Sequence, residues 1–419
     1  TVYNKGFSGT EDLSLNQVSE FIFAINNDLG NTIRSNKNAN GLYHAYNTIQ
    51  IDLRKQSMDV QHLDLMLEGQ VAALSSGILN IDDAIGVLES LFASDLYRED
   101  MRSFMLYPVK KVTPFLDKNI IQPHSISKSK LLKTMLRKND LTLIEQDADG
   151  QVRFRPQFRN GFDLQAALHQ MIDKEDNRNL VDPEYDLVME IFEEVFDHRN
   201  YTGRSGTMFS YEGIGSIYWH MISKLLLVVQ ENYFRAVRMD EPAVKVKIMG
   251  QLYYNIRGGL SATKTPEEYG AFPYDPYSHT PAHSGAQQPG MTGQVKEEIL
   301  TRFGELGCMV TQGRIKFEPY LLRRDEFITG KKEFQYYDVS HQKIILNIKK
   351  NQLAYTFCQV PVIYTLTGRE NSLKLEHNDG SIVELDGNTL RKKDSSHIFN
   401  RDSAIKQINL NLDTGLLFD

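Results

Sequence analysis

This sequence has no long apolar run, only two cysteines, a single tryptophan and no surplus of positive charge. Each shortage removes a class of function. The longest apolar stretch is residues 225–229 with their flanks, far short of the roughly 20 residues a helix needs to cross a bilayer, so neither a transmembrane helix nor a membrane partner is expected. Cys308 and Cys358 lie far apart in the chain and give neither a disulfide framework nor a cysteine-based zinc site. Two cysteines suit a reducing compartment, with the cytoplasm as the expected location, although a disulfide-free secreted protein has the same composition. No initiator methionine or signal-like segment precedes Thr1, so targeting is not legible. Lys and Arg number 47 against 54 Asp and Glu, a formal net charge of -7. That leaves no excess of cations to neutralise a phosphate backbone, and nucleic acid is not an expected partner.

What the chain has in quantity is length and tyrosine. Its 419 residues exceed one compact core, so two domains are expected. The first, residues 1–310, reads as helical. In 13–33, Val18, Phe21, Ile22, Ile25 and Leu29 recur at three- and four-residue spacing, the stripe of an amphipathic helix. Further helices are predicted over 58–75, 81–93, 127–138, 163–173, 183–196, 214–237, 244–254 and 292–306. Several open on a capping residue such as Ser127, or on Asp182 with Pro183 in the first turn. Beyond Gly307 the period changes to two, and strands are predicted over 343–348, 353–357, 361–366, 373–376, 382–385 and 405–412. The turns Asn378-Asp379-Gly380 and Asp386-Gly387-Asn388 are hairpin chemistry. Residues 311–419 therefore read as an antiparallel β-sandwich. The helices suit either a toroid of paired helices or an irregular bundle, and no fixed-period repeat is present.

The loops hold the unusual residues. Tyr and Phe number 20 and 21, and a phenol beside a polar loop suits stacking on sugar rings, as it also suits ordinary packing. Four clusters stand out: Tyr43 and His44; Arg98 and Asp100; Arg204, Tyr211 and Glu212; and the long Gly- and Pro-rich segment 257–293. The last carries Glu268, Tyr269, His279, His283 and Gln288 and reads as a substrate-binding rim or an interdomain strap. His279 and His283 have the spacing of a helical metal pair, but Thr280-Pro281 between them breaks a helix, so no metal is expected. Glu212, where a polar loop meets a helix start, suits either a helix-terminal charge or a general acid. Asp100 is a second candidate acid.

Gly258-Gly259, Glu268-Tyr269, Thr292-Gly293 and the segment Gly313 to Pro319 follow one another in an order similar to that of the inverting glycoside phosphorylases typified by cellobiose phosphorylase. The resemblance covers about residues 203–319. It implies an (α/α)6 toroid followed by a β-domain, with Thr292 and Gly293 holding phosphate, joined by His279 or His283. It also implies cleavage of a glycosidic bond by inversion with a loop carboxylate as acid, by hydrolysis or by phosphorolysis. Inorganic phosphate is then a co-substrate, no cofactor is needed, and an oligosaccharide or polysaccharide is the partner. The family's acid stands in an Asp-Trp-Asn-Asp motif, and this chain has none, its one tryptophan being Trp219. Two alternatives follow from that departure. One is a non-catalytic carbohydrate-binding or structural domain; the other is one part of a larger enzyme completed by an N-terminal portion or by a second copy.

Overall fold

The computed structural model describes residues 2–7, 9–52, 56–63, 65–108, 114–173, 175–196, 217–260, 263–265, 292–368 and 371–418. These divide into two compact units, one made of residues 1–45, 65–104 and 217–419, the other of residues 46–64 and 105–216. The division therefore falls around 105–216, and the boundary expected at 310/311 lies inside the first unit.

In the first unit, residues 15–35 form helix α1 (Leu15–Ser35), opened by a capping box between Ser14 and Gln17. Helices α2 (Leu67–Ser75), α3 (Ile81–Phe92), α4 (Trp219–Arg238), α5 (Ala243–Arg257) and α6 (Thr292–Glu305) follow. Asn80 caps α3 by accepting from the Asp83 N–H. The centre of this set is α4, which packs against α2, α5 and α6 and is buried along most of its length. Asn232 Nδ2 donates to Leu74 O at 3.0 Å and Arg235 to Leu79 O at 2.6 Å, which ties the C-terminal ends of α2 and α4 together. His220 meets Glu297 near the start of α4 and α6, and Gln230 donates to Thr301 O further along both. These two helices thus run in the same direction, with α5 as the return between them.

Gly307, at φ +69°, ends α6. A Cβ there would lie 2.1 Å from the Glu318 carbonyl carbon, so only glycine fits this left-handed turn. The chain then enters a module whose main sheet has five strands, β1 (Gln352–Phe357), β2 (Val360–Leu366), β3 (Ser372–His377), β4 (Ile382–Leu385) and β5 (Ile405–Leu412), in the order β1-β2-β5-β3-β4. The sequence suggested antiparallel pairing throughout, but β2 and β5 are parallel, Val362 facing Ile408 and Tyr364 facing Leu410. Parallel neighbours require a crossover rather than a hairpin. Here it includes β3, β4 and a helix, α7 (Lys392–Asn400), that the sequence reading did not identify. Val362, Tyr364, Ile408 and Leu410 belong to one buried core with Leu306, Phe317 and Leu390.

The second unit has its own core, made of Ile121, Leu132, Leu143, Phe154, Leu164, Val188 and Phe192 among others. The helix predicted over 58–75 is two elements: residues 57–62 pair antiparallel with 47–52, Ile51 facing Met58 and Ile49 facing Val60, and the helix begins only at Leu67. Residues 58–62 alternate at period two, a short signal beside the stronger helical one that follows it. The helix predicted over 127–138 also divides. Ser129 caps Lys130–Lys138 by accepting from the Leu132 N–H, while its hydroxyl donates to Glu184 at 2.7 Å.

Candidate functional site

Three of the four buried side-chain oxygen or nitrogen atoms without a hydrogen-bond partner among the described residues are Ser103 Oγ, Gln294 Oε1 and Glu297 Oε2. Two of them lie on one face of α6, three residues apart. Buried polar atoms are nearly always paired, so acceptors left over in one place make it a candidate for holding a ligand.

The surroundings carry charge of both signs. His220, the second residue of α4, brings Nε2 to 3.7 Å from Glu297 Oε1. Trp219, the first, is nearly buried, and the Lys264 ammonium sits 4.9 Å from its ring centroid. Lys264 is itself 8% exposed and donates to the Met101 carbonyl. Neither α4 nor α6 has an acidic residue in its first turn, and Tyr218 caps α4 without a side-chain hydrogen bond. Two helix starts side by side, with a histidine and a buried lysine, offer donors to an anion, and the Glu297 carboxylate beside His220 offers an acceptor.

The fold brings several of the sequence candidates to this end. Lys264 reaches Met101 in the turn between the short strands Tyr97–Arg98 and Ser103–Phe104. Gly259 approaches the same turn, and a Cβ on it would lie 1.8 Å from Arg102 O. Gly259 is thus explained by close packing of two backbones, whereas a Cβ on Gly258 would meet only Tyr254 O at 3.4 Å and Asn255 O at 3.6 Å. Arg98 grips Asp100, its Nε at 3.0 Å from Oδ1 and its NH2 on Oδ2. That guanidinium holds the exposed Asp100 carboxyl below the usual carboxylate range. A proton donor needs the opposite shift, so Asp100 has the features of a surface ion-pair partner.

Tyr43 lies at the start of α2, where Gln70 clasps its peptide. The Tyr43 N–H donates to Gln70 Oε1 and Gln70 Nε2 donates to Tyr43 O, each at 2.8 Å. With 3% of its surface exposed, the Tyr43 ring is core and offers no face for a sugar. His44 is half-buried, its N–H donating to Asn36 O. Arg204, Tyr211, Glu212, Glu268, Tyr269, His279, His283 and Gln288 lie outside the described residues. Thr292 and Gly293 open α6, one turn before Glu297; their side chains are likewise outside the description.

The sequence reading missed His220, Lys264, Gln294 and Glu297. His220 and Glu297 stand on different helices, far apart in the chain. Only the apposition of α4 and α6 makes them neighbours.

Residues 112–199 match the family model of the GH149 phosphorylase insertion domain 2. The match spans the core of the second unit and supports a relationship to the glycoside phosphorylases. It lies outside the 203–319 segment that carries the resemblance seen in the sequence. No curated protein matches this chain.

Proposed function

We propose that this chain acts on glycosidic bonds by phosphorolysis with inversion, binding inorganic phosphate where the first turns of α4 and α6 meet. The observation that carries this reading is the phosphorylase insertion-domain match. It is supported by helix starts that bring His220 and Lys264 together with unspent acceptors at Gln294 and Glu297. His220 and Lys264, with Thr292 and Gly293, are the proposed phosphate groups; Glu212 remains the proposed acid. A phosphate oxygen attacks the anomeric carbon from the face opposite the glycosidic oxygen. The C–O bond breaks, and the acid's proton goes to the leaving sugar oxygen. The helices are proposed to be part of an (α/α)6-type toroid and the strands part of a sandwich-like module.

The test is incubation of the purified protein with a panel of oligosaccharides, with and without inorganic phosphate. Sugar phosphate formed only with phosphate supports the reading. Phosphate-independent release of free sugar sinks phosphorolysis in favour of hydrolysis, and absence of product under both conditions favours a binding domain. A further proposal rests on α1, whose Leu15, Phe21 and Leu29 are 85%, 65% and 53% exposed. Such a stripe favours an added helical surface, from an N-terminal portion of the enzyme or a second copy. Light scattering of the isolated chain distinguishes the second copy by its doubled mass.

A further inference from the structure

We infer that Gln294 and Glu297 form an acceptor wall that reads the hydroxyl groups of the sugar and so sets which sugar the site accepts. The inference rests on the reading of the site as one for sugar and phosphate. It starts from what each side chain has left to offer. Gln294 is 4% exposed and spends its amide N–H on Glu298 Oε1 at 3.1 Å, leaving the acceptor Oε1. Glu297 is 6% exposed; one oxygen lies 3.7 Å from His220 Nε2 and the other is unpaired among the described residues.

An ionised carboxylate only accepts hydrogen bonds, and the free atom of this glutamine also only accepts. Two such atoms three residues apart on one helix face repel the oxygens of a phosphate and call for donors. A sugar hydroxyl supplies a donor without charge. Phosphate is therefore confined to His220, Lys264 and the opening residues Thr292 and Gly293 of α6, and the sugar ring to the face of α6 that carries Gln294 Oε1 and Glu297 Oε2.

A purely structural role is disfavoured by Glu305, the buried carboxylate two turns further along the same helix. Both of its oxygens are taken, by Tyr253, Arg257 and Arg302. A site that rejects an analogue lacking a hydroxyl does so because its own buried acceptor is then left unpaired. This mechanism would make the wall a specificity determinant.

The experiment is isothermal titration of the whole chain and of its Glu297→Gln and Gln294→Met variants. The probes are inorganic phosphate, glucose, galactose, mannose and the monodeoxy forms of whichever hexose binds. The expected result is at least a tenfold loss of hexose affinity in each variant, with phosphate affinity held within about threefold. Thermal midpoints without sugar should be unchanged or raised. In addition, the monodeoxy sugar that binds worst to the wild type should lose nothing further with Glu297→Gln. Hexose affinity that survives both substitutions overturns the inference. So does a fall in midpoint accompanied by loss of phosphate binding, the mark of a structural role. Wild type that binds phosphate but no hexose overturns the acceptor wall alone, whereas wild type that binds neither overturns the proposed function as well.

Discussion

The two ends of α6 carry buried glutamates in opposite conditions. At the C-terminal end, Glu305 accepts from Tyr253 Oη at 2.6 Å, Arg257 Nε at 3.0 Å and Arg302 NH1 at 2.7 Å, while Arg302 also pairs with Glu326 at 2.6 Å. Burial first, and then the Glu305 charge, push the Tyr253 hydroxyl well above its ordinary value, so it stays a donor. At the N-terminal end, Glu297 and Gln294 are as deeply buried and only partly satisfied. The same helix and the same neighbour α4 serve both. The difference separates a closed network from an open one, and burying a charge is tolerable only when its bonds are completed, which is why the open end carries the proposed ligand site.

Breaking the closed end should have the largest effect. Glu305→Ala leaves the Arg257 guanidinium and the Tyr253 hydroxyl without their acceptor, and should cost about 3–5 kcal/mol in urea unfolding. A loss below ~1 kcal/mol would mean the two ends do not differ. Gly259→Ala comes next. Its Cβ would meet Arg102 O at 1.8 Å, and forcing the turns apart should cost about 1–3 kcal/mol, more if the backbones cannot yield. Because that turn positions Lys264, phosphate affinity should fall with stability.

Glu297→Gln should move the other way. Removing an incompletely paired buried charge should leave stability unchanged or gain roughly 1 kcal/mol, which a melting curve reads directly. A marked loss would make Glu297 resemble Glu305.

The dry core beyond the closed end gives a pH test. Burial pushes the Cys308 thiol from its ordinary 9.0 up to about 12. The neutral form is favoured in the fold, so this contribution is complete below pH 9 and is lost as pH rises toward 12. The urea midpoint should fall more steeply between pH 9 and 11 in the wild type than in Cys308→Ala; parallel curves would place Cys308 in contact with solvent. The smallest effect belongs to Asp100→Asn. Its exposed pairing with Arg98 should leave both melting and turnover unchanged, and a large loss of turnover would restore Asp100 as the acid.

Much of the helical part was legible. The stripe through Val18, Ile22 and Leu29 gives α1, and the apolar run around Leu225 gives α4, because helical periodicity is a local property. Its outcome was not legible in the same way, since the α1 stripe is exposed while α4 is buried on nearly every side. Residues 58–62 were assigned to a helix because the pairing that makes them a strand lies with Ile49 and Ile51, across a turn. The candidate site divides similarly. Gly258-Gly259 and the 98–102 cluster were marked by their composition and are brought together by the fold. His220 and Glu297 were missed because each, taken alone, is an ordinary polar residue on a helix.

By itself the sequence determined the amphipathic stripe of α1, the apolar helix α4, most strands of the C-terminal module, the end of α6 at Gly307, and that no helix among the described residues is long and apolar enough to cross a membrane. These depend on spacing within a few residues. Tertiary structure alone decided that β2 and β5 run parallel, that Tyr43 is core, and that Glu305 has both oxygens paired while Glu297 Oε2 has no partner among the described residues. The physical reason is that satisfying a buried charge depends on groups such as Arg257 and Tyr253, which are distant along the chain and meet it only when α5 and α6 pack around α4.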